Sequence, residues 1–331
     1  MSHIGNHKNL GAELLKKGDL DGAIAEYRLD LSLNPNDMCA HSNLGFALYK
    51  KRHFKEAIAE YRAALALNPN SVEVHYCLGV ALAKKGDCER AITEFRTVLQ
   101  LNPDHFDAHY SLGIELNIKG DLKGSIAEYR VAQRLNPNHI DARYNLGTVL
   151  QKTGDLDGAI AEYQAALHIN PNELDVHYNL GTVLWKKGDV KGAIKEYRAV
   201  LALNPNAVDA HHSLGHALEK NGDYEGAIAE YRIVLRLDPN HVGAHFKLGN
   251  ELKKKGNFSE AIAEYRAALR LDPNEGAARY GLATSLEAKG ELVAARKEFK
   301  KALKLSPRTP EYQAVITYMR TALRRLGGAM R

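Results

Sequence analysis

AIAEYR fills residues 23–28 and returns unchanged at 57–62, 227–232 and 261–266. Near copies stand between them: AITEFR at 91–96, SIAEYR at 125–130, AIAEYQ at 159–164 and AIKEYR at 193–198. On a helix, Ala, Ile and the Tyr three residues after Ile share one side. Glu and Arg fall on the other, where pairs such as Glu26 and Arg28 read as a solvated face. The hexapeptide is therefore expected to be scaffold, and function is to be sought at positions that vary between copies.

Prolines set the frame around it. They stand at 35, 69, 103, 137, 171, 205, 239, 273 and 307, always 34 apart, and only Pro310 breaks the series. Self-similarity at this period signals a stacked array in which each unit completes its core against its neighbours. The repeats are placed at 4–37, 38–71, 72–105, 106–139, 140–173, 174–207, 208–241, 242–275 and 276–309, followed by a tail, 310–331. The third repeat shows the design. VEVHYCLGVALAKKG (72–86) sets Val74, Leu78, Ala81 and Leu82 on one helical stripe. Lys84, Lys85 and Gly86 form a helix C-terminal signal, and Asp87 is placed to cap the next helix. That helix buries Ala91, Ile92, Phe95, Val98 and Leu99, and Asn102-Pro103 stops it. Glycines such as Gly79 and Gly113 leave room for the close approach of the partner helix. No strand-like alternation appears, so the fold class is all-α.

The composition is 45% hydrophobic and 26% charged, typical of a folded soluble chain. No apolar run spans a membrane, and MSHIGNHKNLG lacks a secretory h-region. Cys39, Cys77 and Cys88 are odd in number and scattered, which fits a reducing, cytoplasmic setting. The net charge of +5 divides into −4 over residues 1–241 and +9 over 242–331. The basic end reads first as a solvated surface and second as a polyanion site.

The pattern L-G-x-x-L … A-x-x-x-Y … P at a period of 34 resembles the tetratricopeptide repeat over residues 4–309. The resemblance implies a right-handed α-solenoid of helix pairs, with first helices lining a concave groove and second helices forming the back. There are departures. The family's early aromatic is His here (His7, His41, His75, His109, His177, His211, His245) or Arg (Arg143, Arg279). Arg52-His53 replaces Gly-Asp in repeat 2, which puts its internal turn in question. Repeat 9 has Ala283 for Gly and Arg296 for Ile. In the tail, Tyr312, Val315, Ile316, Met319, Leu323 and Leu326 form one stripe, expected to be a C-terminal capping helix beginning at Pro310.

Carried over from the family, six positions per repeat line the groove. They hold Tyr76, Tyr110, Tyr144 and Tyr178, with His212 at the same place in repeat 7. They also hold Asp107, Asp141 and Asp175, then Asn43, Asn145 and Asn179, and Trp185. Tyrosines offer contact area, amides can hold a peptide backbone, and aspartates favour Lys or Arg side chains. The Asn ladder is similar to that of O-linked N-acetylglucosamine transferases. The expected partner is an extended protein or peptide segment, with basic residues suiting the aspartates. Tyrosines packing only against the next repeat are the plain alternative. The family's clamp for acidic chaperone tails is not matched, since Lys8, Ala12, Asn43, Glu73 and Cys77 occupy its places.

No phosphate loop, GxSxG or isolated Cys–His constellation points to an enzyme, and no cofactor is expected. The repeated histidines are spaced too widely to converge on a metal, and His212/His216 would capture one only adventitiously. The reading is a non-catalytic protein-interaction scaffold. Self-assembly through end-to-end stacking, and polyanion or nucleic-acid binding around Lys253, Lys254 and Lys255, are the alternatives.

Overall fold

Each Asn-Pro or Asp-Pro pair closes a helix in the computed structural model, which describes residues 4–305 and 313–328. At Asn102 the backbone N–H still donates to the Val98 carbonyl at 2.7 Å. The residue itself is already extended, as the following proline demands. The described elements are nineteen helices and no strand. Contacts divide the chain into two units, residues 1–171 and 172–331.

The first unit runs α1 (Ile4–Lys16), α2 (Leu20–Leu33), α3 (Met38–Lys50), α4 (Phe54–Leu67), α5 (Val72–Lys84), α6 (Cys88–Leu101), α7 (Phe106–Lys119), α8 (Leu122–Leu135), α9 (Ile140–Thr153) and α10 (Leu156–Ile169). The second runs α11 (Leu174–Lys187), α12 (Val190–Leu203), α13 (Val208–Lys220), α14 (Tyr224–Leu237), α15 (Val242–Lys254), α16 (Phe258–Leu271), α17 (Gly276–Ala288), α18 (Leu292–Leu305) and α19 (Gln313–Gly328). Within each unit every helix packs on the next. In the first unit the odd-numbered helices also touch in series, so they share one face of the stack.

Pairing rests on a glycine–aromatic contact. A Cβ on Gly113 would lie 2.7 Å from Cε1 of Tyr129, and one on Gly79 would lie 2.7 Å from Cε1 of Phe95. The hexapeptide's aromatic ring therefore occupies the space a first-helix side chain would take. Leu10, before Gly11, is exposed, but around the other rings lie the buried leucines that precede the glycines, such as Leu78, Leu112 and Leu146. Each contributes roughly 1.5–3 kcal/mol of hydrophobic burial.

Three local expectations can be compared with the described residues. Asp87 occupies the N-cap position of α6 without capping it; its carboxylate pairs with Arg90 at 2.5 Å. The turn of repeat 2 survives its unusual sequence. Arg52 adopts φ +64°, the left-handed conformation its siblings give to glycine, as at Gly86 with φ +85°. His53 follows as an N-cap with no side-chain cap bond. The tail forms α19 against α18 and buries Ile316, Met319, Ala322 and Leu326. Pro307, Pro310 and Tyr312 lie outside the described residues. Arg296 sits beside the C-terminal turn of α19, its guanidinium 3.4 Å from where a Cβ of Gly327 would stand. A cation is favourable at that end of a helix.

Candidate functional site

The tyrosines of the first helices stand half-buried between two layers. On one side each meets the hexapeptide ring of its own repeat. Ring centroids are 5.9 Å apart for Tyr76–Phe95, 6.0 Å for Tyr110–Tyr129, 6.1 Å for Tyr144–Tyr163 and 5.8 Å for Tyr178–Tyr197. On the other side Tyr76, Tyr110 and Tyr178 meet the N-cap of the following first helix or a side chain on that helix. His105 lies 5.2 Å from Tyr76, and His139 lies 5.2 Å from Tyr110. Asn145 donates its amide to the Tyr110 hydroxyl at 3.0 Å, and the Tyr178 and Ser213 hydroxyls are 3.3 Å apart. Burial raises the Tyr76 and Tyr110 hydroxyls above the ordinary phenol range. These rings thus stitch neighbouring repeats together while presenting their remaining surface.

The amides are engaged more than a backbone-holding ladder suggests. Asn145 gives its N–H to Tyr110, and Asn179 gives its own to the Asp175 carbonyl at 2.9 Å. Asn43 is half-buried on α3. Asp107, Asp141 and Asp175 are exposed in the first turns of α7, α9 and α11, where the helix dipole favours a carboxylate. In the second unit, Trp185 lies 5.0 Å from His216, and His212 lies 4.8 Å from His241. Burial pushes the His212 imidazole down to about 4, helped by His241, His216 and Lys247.

The constant residues also reach this face. The Tyr163 hydroxyl lies 3.2 Å from Oγ1 of Thr148 and donates to Gln151 at 3.4 Å. The Tyr265 hydroxyl donates to Asn250 at 2.7 Å, and that of Tyr231 donates to Glu219 at 3.4 Å. The hexapeptide tyrosine therefore braces first-helix side chains from behind.

The hexapeptide glutamate is not part of a solvated face. Glu26, Glu60, Glu94, Glu128, Glu196, Glu230 and Glu264 each bind Nδ1 of a first-helix histidine at 2.5–2.7 Å. For His41, His75, His109, His211 and His245, Nε2 also binds the carbonyl of the preceding repeat's proline at 2.8–3.0 Å. Arg143 and Arg279 make the same two bonds, to Glu162 and Pro137 and to Glu298 and Pro273. Among the described residues no group of three or more His, Cys, Asp or Glu is gathered for a metal.

At the basic end the lysines are largely engaged. Lys254 bridges Glu251 at 2.6 Å and Glu219 at 3.3 Å, and Lys255 pairs with Glu225. Lys253 lies 6.0 Å from the centre of the Tyr280 ring, and burial lowers its ammonium. No described helix is long and apolar enough to cross a membrane.

Comparison with known proteins places these features. The family model described as tetratricopeptide repeat matches residues 76–140, 178–242 and 246–310. A second, described as TPR repeat, matches 11–51, 53–86 and 152–188. A search of curated proteins returns no match. Among solved structures, the C-terminal part of a TPR repeat-containing protein from Cytophaga hutchinsonii superposes with a TM-score of 0.65 at 19% identity, covering 72% of this chain and 98% of that one. MamA from Desulfovibrio magneticus RS-1 gives 0.50 at 28% identity, covering 51% and 96%. YrrB, described as a TPR protein with an unusual peptide-binding site, gives 0.51 at 23%, covering 56% and 95%. With the family model spanning more than half its length, the chain belongs to the tetratricopeptide-repeat family.

Proposed function

We propose that this chain is a non-catalytic scaffold that holds an extended protein or peptide segment along the first helices of its repeats. The observation that carries the reading is the alternation, on those helices, of half-buried tyrosines with exposed first-turn aspartates. Tyr76, Tyr110, Tyr144 and Tyr178 offer rigid contact area, while Asp107, Asp141 and Asp175 would draw basic side chains to it. Asn43, Asn145, Asn179, Trp185 and His212 supply further polar and aromatic contacts. Extended segments suit such a surface because the repeat offers the same groups at a fixed spacing. The pairing of Lys254 and Lys255 with glutamates leaves the polyanion alternative with less support.

The test reverses charge where packing is untouched. Wild type and an Asp107/Asp141/Asp175→Lys variant are used side by side for affinity capture from lysate, with circular dichroism to verify the fold. A protein held by the wild type and missing from the folded variant supports the reading. Identical captures would sink it. Light scattering across a concentration series then tests self-assembly, and the salt dependence of binding tests the polyanion alternative.

A further inference from the structure

In several repeats the residue that caps the following first helix places a ring over the groove aromatic. His105 covers Tyr76 at 5.2 Å, His139 covers Tyr110 at 5.2 Å, and His241 covers His212 at 4.8 Å. In the last repeat Tyr318 of α19 meets Tyr280 at 6.0 Å. These three histidines occupy the N-cap position of a first helix and accept its Ala N–H with Nδ1. Ahead of α13 the same position is Ala207, which makes no side-chain cap bond. After Phe246 the position is Glu275, whose carboxylate caps α17. Ala207 removes the ring without replacing it. The result is a cavity of about 210 Å³ lined by Leu174, Asp175, Tyr178, Ala207, Val208 and Asp209.

The lining specifies an occupant. Tyr178 offers an aromatic ring, Leu174 and Val208 offer apolar walls, and Asp175 and Asp209 bring two exposed carboxylates to the rim. A planar cation with an aliphatic stem satisfies all three. Guanidinium is planar like the imidazole that fills this place elsewhere, stacks on aromatic rings and can bind a carboxylate through two N–H groups. The geometry points to an anchor pocket at Tyr178–Ala207 that takes an arginine side chain of the partner, in the place left by the missing histidine. This rests on the first-helix face being the binding face, and names the residue it selects there.

The probe is a capped pentapeptide with a central arginine, compared with its citrulline counterpart, which keeps the plane and loses the charge. Binding is followed by the amide resonances of Ala207, Val208 and Asp209. Wild type should bind the arginine peptide about tenfold more tightly than the citrulline one, the factor that ~1.4 kcal/mol represents. Ala207→His refills the cavity with the residue that stands at this position as His105, His139 and His241, and should abolish the preference. Asp175→Asn/Asp209→Asn should reduce it while leaving the cavity open. Equal affinity for both peptides, or a preference that survives Ala207→His, overturns the proposal. A random displayed-peptide library selected on both proteins separates the two levels. Arginine enrichment on wild type alone supports the anchor. Binders without arginine, retained by Ala207→His, overturn the anchor and leave the groove reading standing. No binders to either protein, with no resonance shifts, overturns both.

Discussion

His109 binds the Glu128 carboxylate through Nδ1 at 2.6 Å and the Pro103 carbonyl through Nε2 at 2.8 Å. One ring thus joins a first helix, a second helix and the loop that enters the repeat. Both nitrogens face oxygens, a carboxylate and a backbone carbonyl. Arg143 and Arg279 stand at the equivalent position in other repeats and donate to the same two kinds of partner. His109→Arg should therefore keep both bonds and hold the urea midpoint close to wild type. His109→Ala leaves the glutamate without its partner and should cost about 1–3 kcal/mol. Equal losses for Arg and Ala would show that ring packing, not the pair of bonds, holds the junction.

Asp30 on α2 is 1% exposed, and neither carboxylate oxygen has a hydrogen-bond partner. Its siblings on the second helices are Ala64, Val98, Ala132, Ala166, Val200 and Val234, all buried. Asp30→Ala should stabilise the protein by about 1–3 kcal/mol, the usual penalty of an unsatisfied buried polar group. Chemical denaturation of the two proteins measures it. A destabilised variant would mean that the carboxylate has a folding partner the hydrogen-bond geometry does not show.

Repeat 2 can be improved at its turn. Arg52 holds φ +64°, which costs a residue with a Cβ roughly 1–2 kcal/mol. His53 fails to cap α4, whereas Asp19 and Asp121 each accept a second-helix N–H at 2.9 Å. Arg52→Gly/His53→Asp restores both and should raise stability by about 1–2 kcal/mol. Unchanged thermal unfolding would indicate that the flexibility glycine adds to the unfolded chain cancels the gain.

His212 predicts an acid-sensitive point in the second unit. Burial and the nearby His241, His216 and Lys247 push it down to about 4, with Asp209 opposing them. An ordinary imidazole titrates near ~6.5. As pH falls the unfolded chain takes up this proton first, so the stability held by neutral His212 is complete above about 6.5 and is lost toward 4. His212→Tyr, matching Tyr110 and Tyr178, should melt with a weaker pH dependence between those limits. Parallel curves for variant and wild type would contradict this.

Periodic residues made the fold legible, because prolines, Leu-Gly pairs and inward-facing hexapeptide residues report local geometry. What escaped depends on contacts between helices. The hexapeptide glutamate looks solvated along its own helix. Only the crossing of first and second helices brings Glu128 to His109. Asn145 reads as a groove amide until Tyr110 of the preceding repeat takes its N–H. Ala207 is an unremarked small residue until the rings at His105, His139 and His241 show what it omits. Packing adds what repeat position does not show: rings at His105, His139 and His241 stand over a groove aromatic, while Ala207 puts no ring or cap bond beside Tyr178.

The histidine bridge also has a mechanical meaning. Because it ties the entering loop to both helices of one repeat, tension applied along the chain would load one bridge before it reached the next. Rupture would then let a single unit unravel, releasing 34 residues at a time, or about 12 nm of slack. Under load such a chain would lengthen in steps of one repeat and would shorten again as the same bonds re-formed.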